Sequence, residues 1–325
     1  MDTKLDKLED IGFYTLCEAR AKQVGTSKTS PLARCEILLT GRCNFRCPYC
    51  RSVGGKDLKY EEVLTTVNIW IANGLRAVRF SGGEPTIWPG LVDIVRYAAK
   101  HIERVAISTN GSAPWETYEA LINAGANDFS ISLDACCAAD GKKMAGGVDV
   151  WDRLVSNIRE ISKRTYVTIG TVLTEENLPK IKEIVQFASD LGVADIRVIP
   201  AAQFGSTLNV PDLPQALLDK HPILKWRWKS LQEGKDVRGL KGEKPAHCGI
   251  VLDDMAVMGN KHYPCIIYLR EGGKAIGEVG YGMMEERRNW HNNHNPSTDP
   301  ICSKNCLDFC NFYNIKVERY RNEVL

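Results

Sequence analysis

Between about residues 35 and 200, short apolar runs closed by turn formers alternate with longer stretches of helical periodicity. The runs Cys35–Thr40, Ala77–Ser81, Val105–Thr109, Asp128–Leu133, Tyr166–Leu173 and Asp195–Pro200 predict six strands. Between them Val63, Val67, Trp70 and Ile71 share one helical face, and Asn73-Gly74 ends that helix. A second helix begins at Pro114, carries Tyr118, Leu121 and Ile122 and stops at Gly125; a third carries Leu178, Ile181, Ile184, Val185 and Ala188 before Gly192. Trp88–His101 reads as a further helix. The repeats predict a parallel sheet covered by helices, with its chemistry at the loops after the strands' carboxyl ends. Beyond about residue 211 the alternation stops. One more helix is expected over Leu217–Gly234, then irregular Gly-rich chain from Lys235, with Asn289–Pro300 as an exposed polar loop holding His291 and His294.

Composition adds little by itself: 325 residues, 44% apolar and 25% charged, is an ordinary globular chain. Lys and Arg number 42 against 40 Asp and Glu, so affinity for nucleic acid has to come from a local patch. Residues 220–247 supply one, with eight Lys/Arg to three Asp/Glu and with Trp226 and Trp228 interleaved. Such a segment suits stacking on a base and contact with phosphates; the alternative is a solvated helix whose tryptophans pack on the barrel. No apolar stretch approaches a membrane span, and Met1–Asp10 is too charged for a secretory signal, so a cytoplasmic protein is expected.

Twelve cysteines change the picture. In a reducing compartment they are not expected as disulfides, so their clustering decides their use. Cys43, Cys47 and Cys50 form C-x3-C-x2-C in the loop after the first strand, and Cys248, Cys265, Cys302, Cys306 and Cys310 gather in the last quarter. Three thiolates so close together suit an iron–sulfur cluster, and three ligands leave one iron of a four-iron cluster open to something other than protein. A zinc ion borrowing a fourth ligand is the alternative.

Three motifs at successive strand ends carry a family resemblance. They are the Cys43–Cys50 loop with Tyr49 at its aromatic position, Ser81-Gly82-Gly83-Glu84-Pro85, and Ser108-Thr109-Asn110-Gly111. In this order the chain resembles the radical SAM enzymes over residues 35 to about 200. The resemblance implies a partial (β/α)6 barrel with a 4Fe–4S cluster on Cys43, Cys47 and Cys50, whose open iron chelates S-adenosylmethionine. Reductive cleavage then yields a 5′-deoxyadenosyl radical that abstracts a substrate hydrogen. The cofactor-binding residues it implies are Tyr49, Gly82, Gly83, Glu84, Pro85, Ser108, Asn110 and Ser132. Gly82 and Gly83 let backbone close on the methionyl amine, and Glu84 accepts from its ammonium or serves as helix N-terminal charge. Gly170 and Val198–Ala201 are expected against the adenine or in the core.

The second cysteine group resembles a SPASM/twitch extension. Five thiols in place of seven fit one auxiliary cluster, its expected ligands being Cys248, Cys265 and Cys310 with Cys302 or Cys306; His247 is a further candidate. Structural zinc is again the alternative. Asp134-Ala135-Cys136-Cys137 follows the fourth strand, where a thiol is placed to return a hydrogen atom and Asp134 to contact substrate or move a proton; the alternative is two small buried apolar residues. Met144–Gly147 is expected as a flexible loop over the substrate.

The domains expected are an N-terminal extension over 1–34, the barrel over 35–210, a basic helical connector over 211–247 and a Cys-rich cluster domain over 248–325. The basic Trp segment points to a nucleotide or nucleobase substrate, free or within nucleic acid. A ribosomally made peptide is the alternative, disfavoured because the 42 residues before Cys43 are too few for a leader-recognition domain and the first strand. A non-enzymatic electron carrier or zinc scaffold has no use for the GGEP loop. A small donor such as flavodoxin or ferredoxin is the expected electron source, and the oligomeric state is open.

Overall fold

The computed structural model describes residues 17–51, 54, 56–202 and 210–323. Strands β1 (Arg34–Thr40), β2 (Ala77–Gly82), β3 (Arg104–Thr109), β4 (Asp128–Ser132), β5 (Tyr166–Leu173) and β6 (Asp195–Pro200) pair in parallel in chain order. After α1 (Glu18–Thr26), the covering helices are α2 (Tyr60–Ala72), α3 (Leu91–Ala98), α4 (Trp115–Asn123), α5 (Ala138–Met144), α6 (Trp151–Ser162) and α7 (Ile181–Asp190). This is the expected mostly parallel α/β sheet of a partial barrel.

Strand alternation sorts the two faces. Val78, Phe80, Val105, Ile107, Phe129, Ile131, Val167 and Ile169 are buried in the core shared with the helices. Their neighbours one residue along, among them Arg79, Arg104, Ser108, Asp128 and Ser130, belong to the opposite face. Register sets Glu36 beside Arg79, and Ala106 beside both Arg79 and Asp128, so charges fall in one row across the hollow.

Local sequence explains where elements begin and end. The Lys59 N–H donates to the Glu62 carboxylate at 2.9 Å to start α2, which buries Val63, Val67 and Trp70 and stops at Asn73-Gly74. The helix expected over Trp88–His101 is shorter: a 3-10 turn over Pro85–Ile87 comes first, and Pro89-Gly90 delay α3 to Leu91. The helix expected over Leu217–Gly234 is two, α8 (Gln215–Lys220) and α9 (Pro222–Gln232), because Pro222 pushes His221 out of helical geometry.

Beyond α9, β7 (Ala256–Met258) pairs in parallel with β1, and β8 (Lys261–Tyr263) and β9 (Gly277–Glu278) follow antiparallel, so one sheet runs β6-β5-β4-β3-β2-β1-β7-β8-β9. Helices α10 (Ile266–Arg270), α11 (Met283–Asn293), α12 (Cys302–Asn305) and α13 (Asp308–Asn322) complete this half. The expected loop over Asn289–Pro300 is corrected at its start: α11 continues to Asn293, and its His291 is buried against Arg321, which donates to Nδ1 at 2.9 Å. Helix α1 packs here too, with Arg20 Nε donating to Asp253 Oδ1 at 2.8 Å and Tyr313 Oη to Asp253 Oδ2 at 3.1 Å.

Candidate active site

Cys43, Cys47 and Cys50 sit in the loop after β1 and line a cavity of about 200 Å³. The loop is held from two sides. Asn44 Nδ2 donates to Ser112 Oγ at 2.8 Å, and Asn110 Nδ2 donates to Asn44 Oδ1 at 2.7 Å and lies 3.9 Å from Cys43 Sγ. Tyr49 Oη donates to Asp134. Burial pushes the Cys47 thiol up to about 12, so a thiolate there calls for a cation beside it. Among the described residues, no three thiols offer sulfur atoms within 4.8 Å of one another. Three thiols from one loop on one cavity wall are the donors an iron–sulfur cluster takes, so the donor set fits the iron–sulfur expectation.

The GGEP loop wraps the start of the cysteine loop. Gly83 N donates to Thr40 O at 2.8 Å and Glu84 N to Arg42 O at 2.9 Å. A Cβ on Gly82 would meet the Thr40 carbonyl and one on Gly83 the Arg42 carbonyl, so the close approach demanding glycine is to β1 and its loop. Glu84 shows the second of its two expected roles, at the N-terminus of the 3-10 turn. It is 1% exposed and accepts from Thr86 N at 3.1 Å, Thr86 Oγ1 at 2.7 Å, Thr109 Oγ1 at 2.7 Å and Asn110 N at 2.7 Å. Three of these donors meet Oε1 and one, Asn110 N, meets Oε2, so the carboxylate braces the ends of β2 and β3 and caps the 3-10 turn. Pro85 is buried in that turn. Ser108, Asn110 and Ser132 line the same cavity as the thiols, with Ser132 exposed at its rim.

After β4 the residues separate. Asp134 lines the cavity, but its Oδ1 accepts from Val172 N at 2.6 Å while Tyr49 holds Oδ2; burial pushes its carboxyl up to about 6. Cys136 and Cys137 do not line this cavity. Cys137 is exposed and its Sγ donates to Asp140 at 3.3 Å, so the hydrogen-donor expectation finds no geometry. Met144 and Ala145 are buried wall residues, tied to the cysteine loop by Arg46 N donating to Ala145 O at 3.2 Å. Gly170 and Val198–Ala201 do not line this cavity; Val198 is in the core.

The second thiol group is assembled from four places: Cys248 before a 3-10 turn, Cys265 at the start of α10, Cys302 and Cys306 on either end of α12, and Cys310 in α13. Asn314 Nδ2 lies 3.7 Å from Cys248 Sγ, Tyr268 N donates to Cys265 Sγ at 3.4 Å, and Cys306 Sγ donates to Leu307 O at 3.7 Å. Burial pushes Cys248 up to about 11 and raises Cys265 and Cys302 further. His247 stacks on His291 with centroids 5.1 Å apart. His294, read from sequence as a loop residue, has its Nε2 3.8 Å from Cys302 Sγ and 3.7 Å from Asp299.

A second hollow of about 380 Å³ lies between the thiol groups. It shares Ser108 and Arg270 with the first cavity and reaches Cys265 and Cys310. Arg34, Arg79, Arg104 and Arg197 enter it from the strands, Arg51, Arg238 and Arg270 from the other side. Burial, with Arg79 nearby, pulls Arg197 down to about 10. Sequence reasoning missed these arginines. Their signal was charge at alternate positions of parallel strands, which ordinarily read as near-continuous apolar runs.

The basic Trp segment, by contrast, faces inward. Trp228 is wholly buried and donates to Pro211 O at 3.0 Å, and Arg227, 2% exposed, pairs with Asp308 at 2.6 Å. This corrects the base-stacking expectation for Trp228, while Trp226 is half-buried, edge-to-face with Phe309 and under the Arg227 guanidinium.

Residues 37–188 match the family model of the Radical SAM superfamily. The chain is 33% identical over 166 residues to a probable GTP 3′,8-cyclase of Pyrococcus abyssi, covering 49% of this chain and 53% of that protein. It is 27% identical over 213 residues to the GTP 3′,8-cyclase of Clostridium perfringens, covering 62% and 65%. The chain thus spans roughly half to two thirds of these relatives' length. Among solved structures, SuiB of Streptococcus suis superposes with TM-score 0.59 at 15% identity, covering 93% of this chain and 73% of SuiB. Native anSMEcpe with bound AdoMet gives 0.58 at 14%, covering 90% and 96%. These two likenesses concern the fold. No described helix is long and apolar enough to cross a membrane. Residues 37–188 form a radical SAM domain, and that domain implies a 4Fe–4S cluster and S-adenosylmethionine.

Proposed function

We propose that this chain is a radical SAM enzyme acting on a nucleotide or nucleobase. The observation that carries the reading is one cavity lined together by Cys43, Cys47, Cys50, Gly82, Gly83, Ser108 and Asn110. With cluster and S-adenosylmethionine bound, the cofactors supply a 5′-deoxyadenosyl radical that takes a hydrogen atom from the substrate. The chain's own work is positional: the three cysteines hold the cluster, Glu84 and Asn110 fix the loop around them, and Tyr49, clamped by Asp134, closes one wall. Ser108 and Ser132 are the polar wall groups placed to meet the cofactor's ribose or methionyl ends, while Asn110, on the same wall, is engaged with Asn44 and Ser112. Four of Cys248, Cys265, Cys302, Cys306 and Cys310 hold an auxiliary cluster in a domain over 248–325, following the barrel at 35–210 and the connector at 211–247.

The relatives named GTP 3′,8-cyclase support the nucleotide substrate. A peptide substrate is the second reading, supported by the fold shared with SuiB, which is also solved with its precursor peptide SuiA. A small electron donor of the flavodoxin or ferredoxin kind completes the system, in the cytoplasm, where the free cysteines stay reduced. The test is anaerobic reconstitution followed by dithionite and S-adenosylmethionine, with chromatography for 5′-deoxyadenosine. The proposal expects that product from the native chain and none from Cys47→Ala. Bound zinc with no 5′-deoxyadenosine would refute it.

A further inference from the structure

We propose that His294, Asp299 and Cys302 form a binding site for a single divalent cation of the zinc class, separate from the auxiliary cluster. The site stands on its own geometry; only the allotment of Cys248, Cys265, Cys306 and Cys310 to the cluster rests on the reading above.

The three residues follow H-x4-D-x2-C through the connection from α11 to α12. His294 comes straight after α11 and Cys302 opens α12, with Asp299 between them. One donor atom of each lies within 4.8 Å of the other two, closer than any three thiols of the described residues come. His294 Nε2 stands 3.8 Å from Cys302 Sγ and 3.7 Å from Asp299 Oδ2. A tetrahedral zinc, with bonds of about 2.3 Å to sulfur and about 2.0 Å to nitrogen and oxygen, spaces such donors about 3.3–3.6 Å apart. A small inward shift therefore seats the ion. Hydrogen bonding accounts for the arrangement less well: the nitrogen–oxygen separation is too long for it, and one proton on Nε2 cannot point at both sulfur and carboxylate.

The donors are held from behind, as metal ligands are. Asp299 Oδ1 accepts from Ile301 N and Cys302 N, each at 2.8 Å, which turns Oδ2 toward the imidazole; Tyr268 Oη donates to Oδ2 at 3.0 Å. Trp290 stacks on the His294 ring with centroids 3.8 Å apart, and Tyr268 stands edge-on to both rings. Charge calls for a cation. Among the described residues no Lys or Arg pairs with Asp299, and burial, with the nearby thiols and Asp299, raises the Cys302 thiol. Sulfur and imidazole donors select zinc over magnesium or calcium, which take oxygen. The side chains of His294 and Asp299 keep 17% and 11% of their surface exposed, enough for an ion to enter and for water to take the fourth corner. Five thiols also exceed the four that one four-iron cluster takes, and Cys302 is the one with nitrogen and oxygen donors beside it.

The experiment is zinc and iron analysis of the full chain, reconstituted anaerobically with iron and sulfide, supplied with zinc and then passed through a weak chelator. About one zinc per chain is expected beside about eight irons. His294→Ala, Asp299→Ala and Cys302→Ala are each expected to lower the retained zinc about tenfold and to leave the iron unchanged. X-ray absorption at the zinc edge of the native protein gives a readout that survives a variant's failure to fold. It is expected to show one sulfur at about 2.3 Å with nitrogen and oxygen at about 2.0 Å. No retained zinc, zinc that survives His294→Ala, or a zinc shell of four sulfurs overturns the site. Loss of about four irons from Cys302→Ala overturns it as well, by making Cys302 a cluster ligand. Zinc reports on this site and iron on the clusters, so failure of the auxiliary-cluster reading shows as missing iron with zinc retained.

Discussion

The barrel and the C-terminal half solve the problem of an interior in opposite ways. The barrel buries apolar side chains between sheet and helices and turns its charges into a hollow. The C-terminal half has smaller apolar clusters, one around Ile250, Val251, Leu252, Tyr313 and Val317 and one joining Ala256, Tyr263 and Leu269 to Leu38, and sets buried polar groups among them. Arg287 shows the contrast. It is wholly buried, and its guanidinium donates to Val251 O at 2.8 Å, Tyr263 O at 3.1 Å and Asp254 O. On this contrast the barrel is expected to hold its fold before any cofactor binds, and the C-terminal half, with its gathered thiols and buried Arg287, to lean on its cluster.

The largest way to break this contrast is at the first thiols. Cys43→Ala should abolish 5′-deoxyadenosine formation, by about a thousandfold or more, while circular dichroism stays native, since the thiol lies on a loop outside the core. Next, Arg287→Met should cost about 3–5 kcal/mol by stranding the carbonyls it serves, read as a lower urea midpoint and loss of C-terminal iron. Gly83→Ala should follow, because its Cβ meets the Arg42 carbonyl; S-adenosylmethionine affinity measured by titration should fall about tenfold, for about 1.4 kcal/mol of displaced loop.

The smallest expected effect is on pH. Burial pushes His291 down to about 4, below its unfolded value of about 6.5. Its neutral ring therefore contributes stability present above about pH 6.5 and lost as pH falls toward 4. Urea titrations should show about 2 kcal/mol lost between about pH 7 and about pH 5, and His291→Asn should flatten that slope. An unchanged slope would remove this difference between the halves.

Legibility followed the same division. The six barrel strands were readable because an apolar face recurs every second residue, and Asn73-Gly74 marked a helix end by a turn only glycine takes easily. The three motif loops were readable because their residue types are scarce elsewhere. Roles within them were less so: Glu84 spends its oxygens on Thr86, Thr109 and Asn110, contacts made across strands that no local pattern reports. The basic Trp segment misled because charge counted along the chain does not say which side faces in, and Arg227 and Trp228 face in. The cationic hollow went unseen for the complementary reason. Its arginines are far apart in sequence and meet only through strand register and the fold-back of β7 onto β1.

Metal quantitation after anaerobic reconstitution tests the central claim most directly, comparing the native chain with the triple variant Cys43→Ala, Cys47→Ala, Cys50→Ala. Two separate four-iron sites predict about eight irons falling to about four, with sulfide in step. Zinc in place of iron, or about four irons in both proteins, would contradict the two-site account.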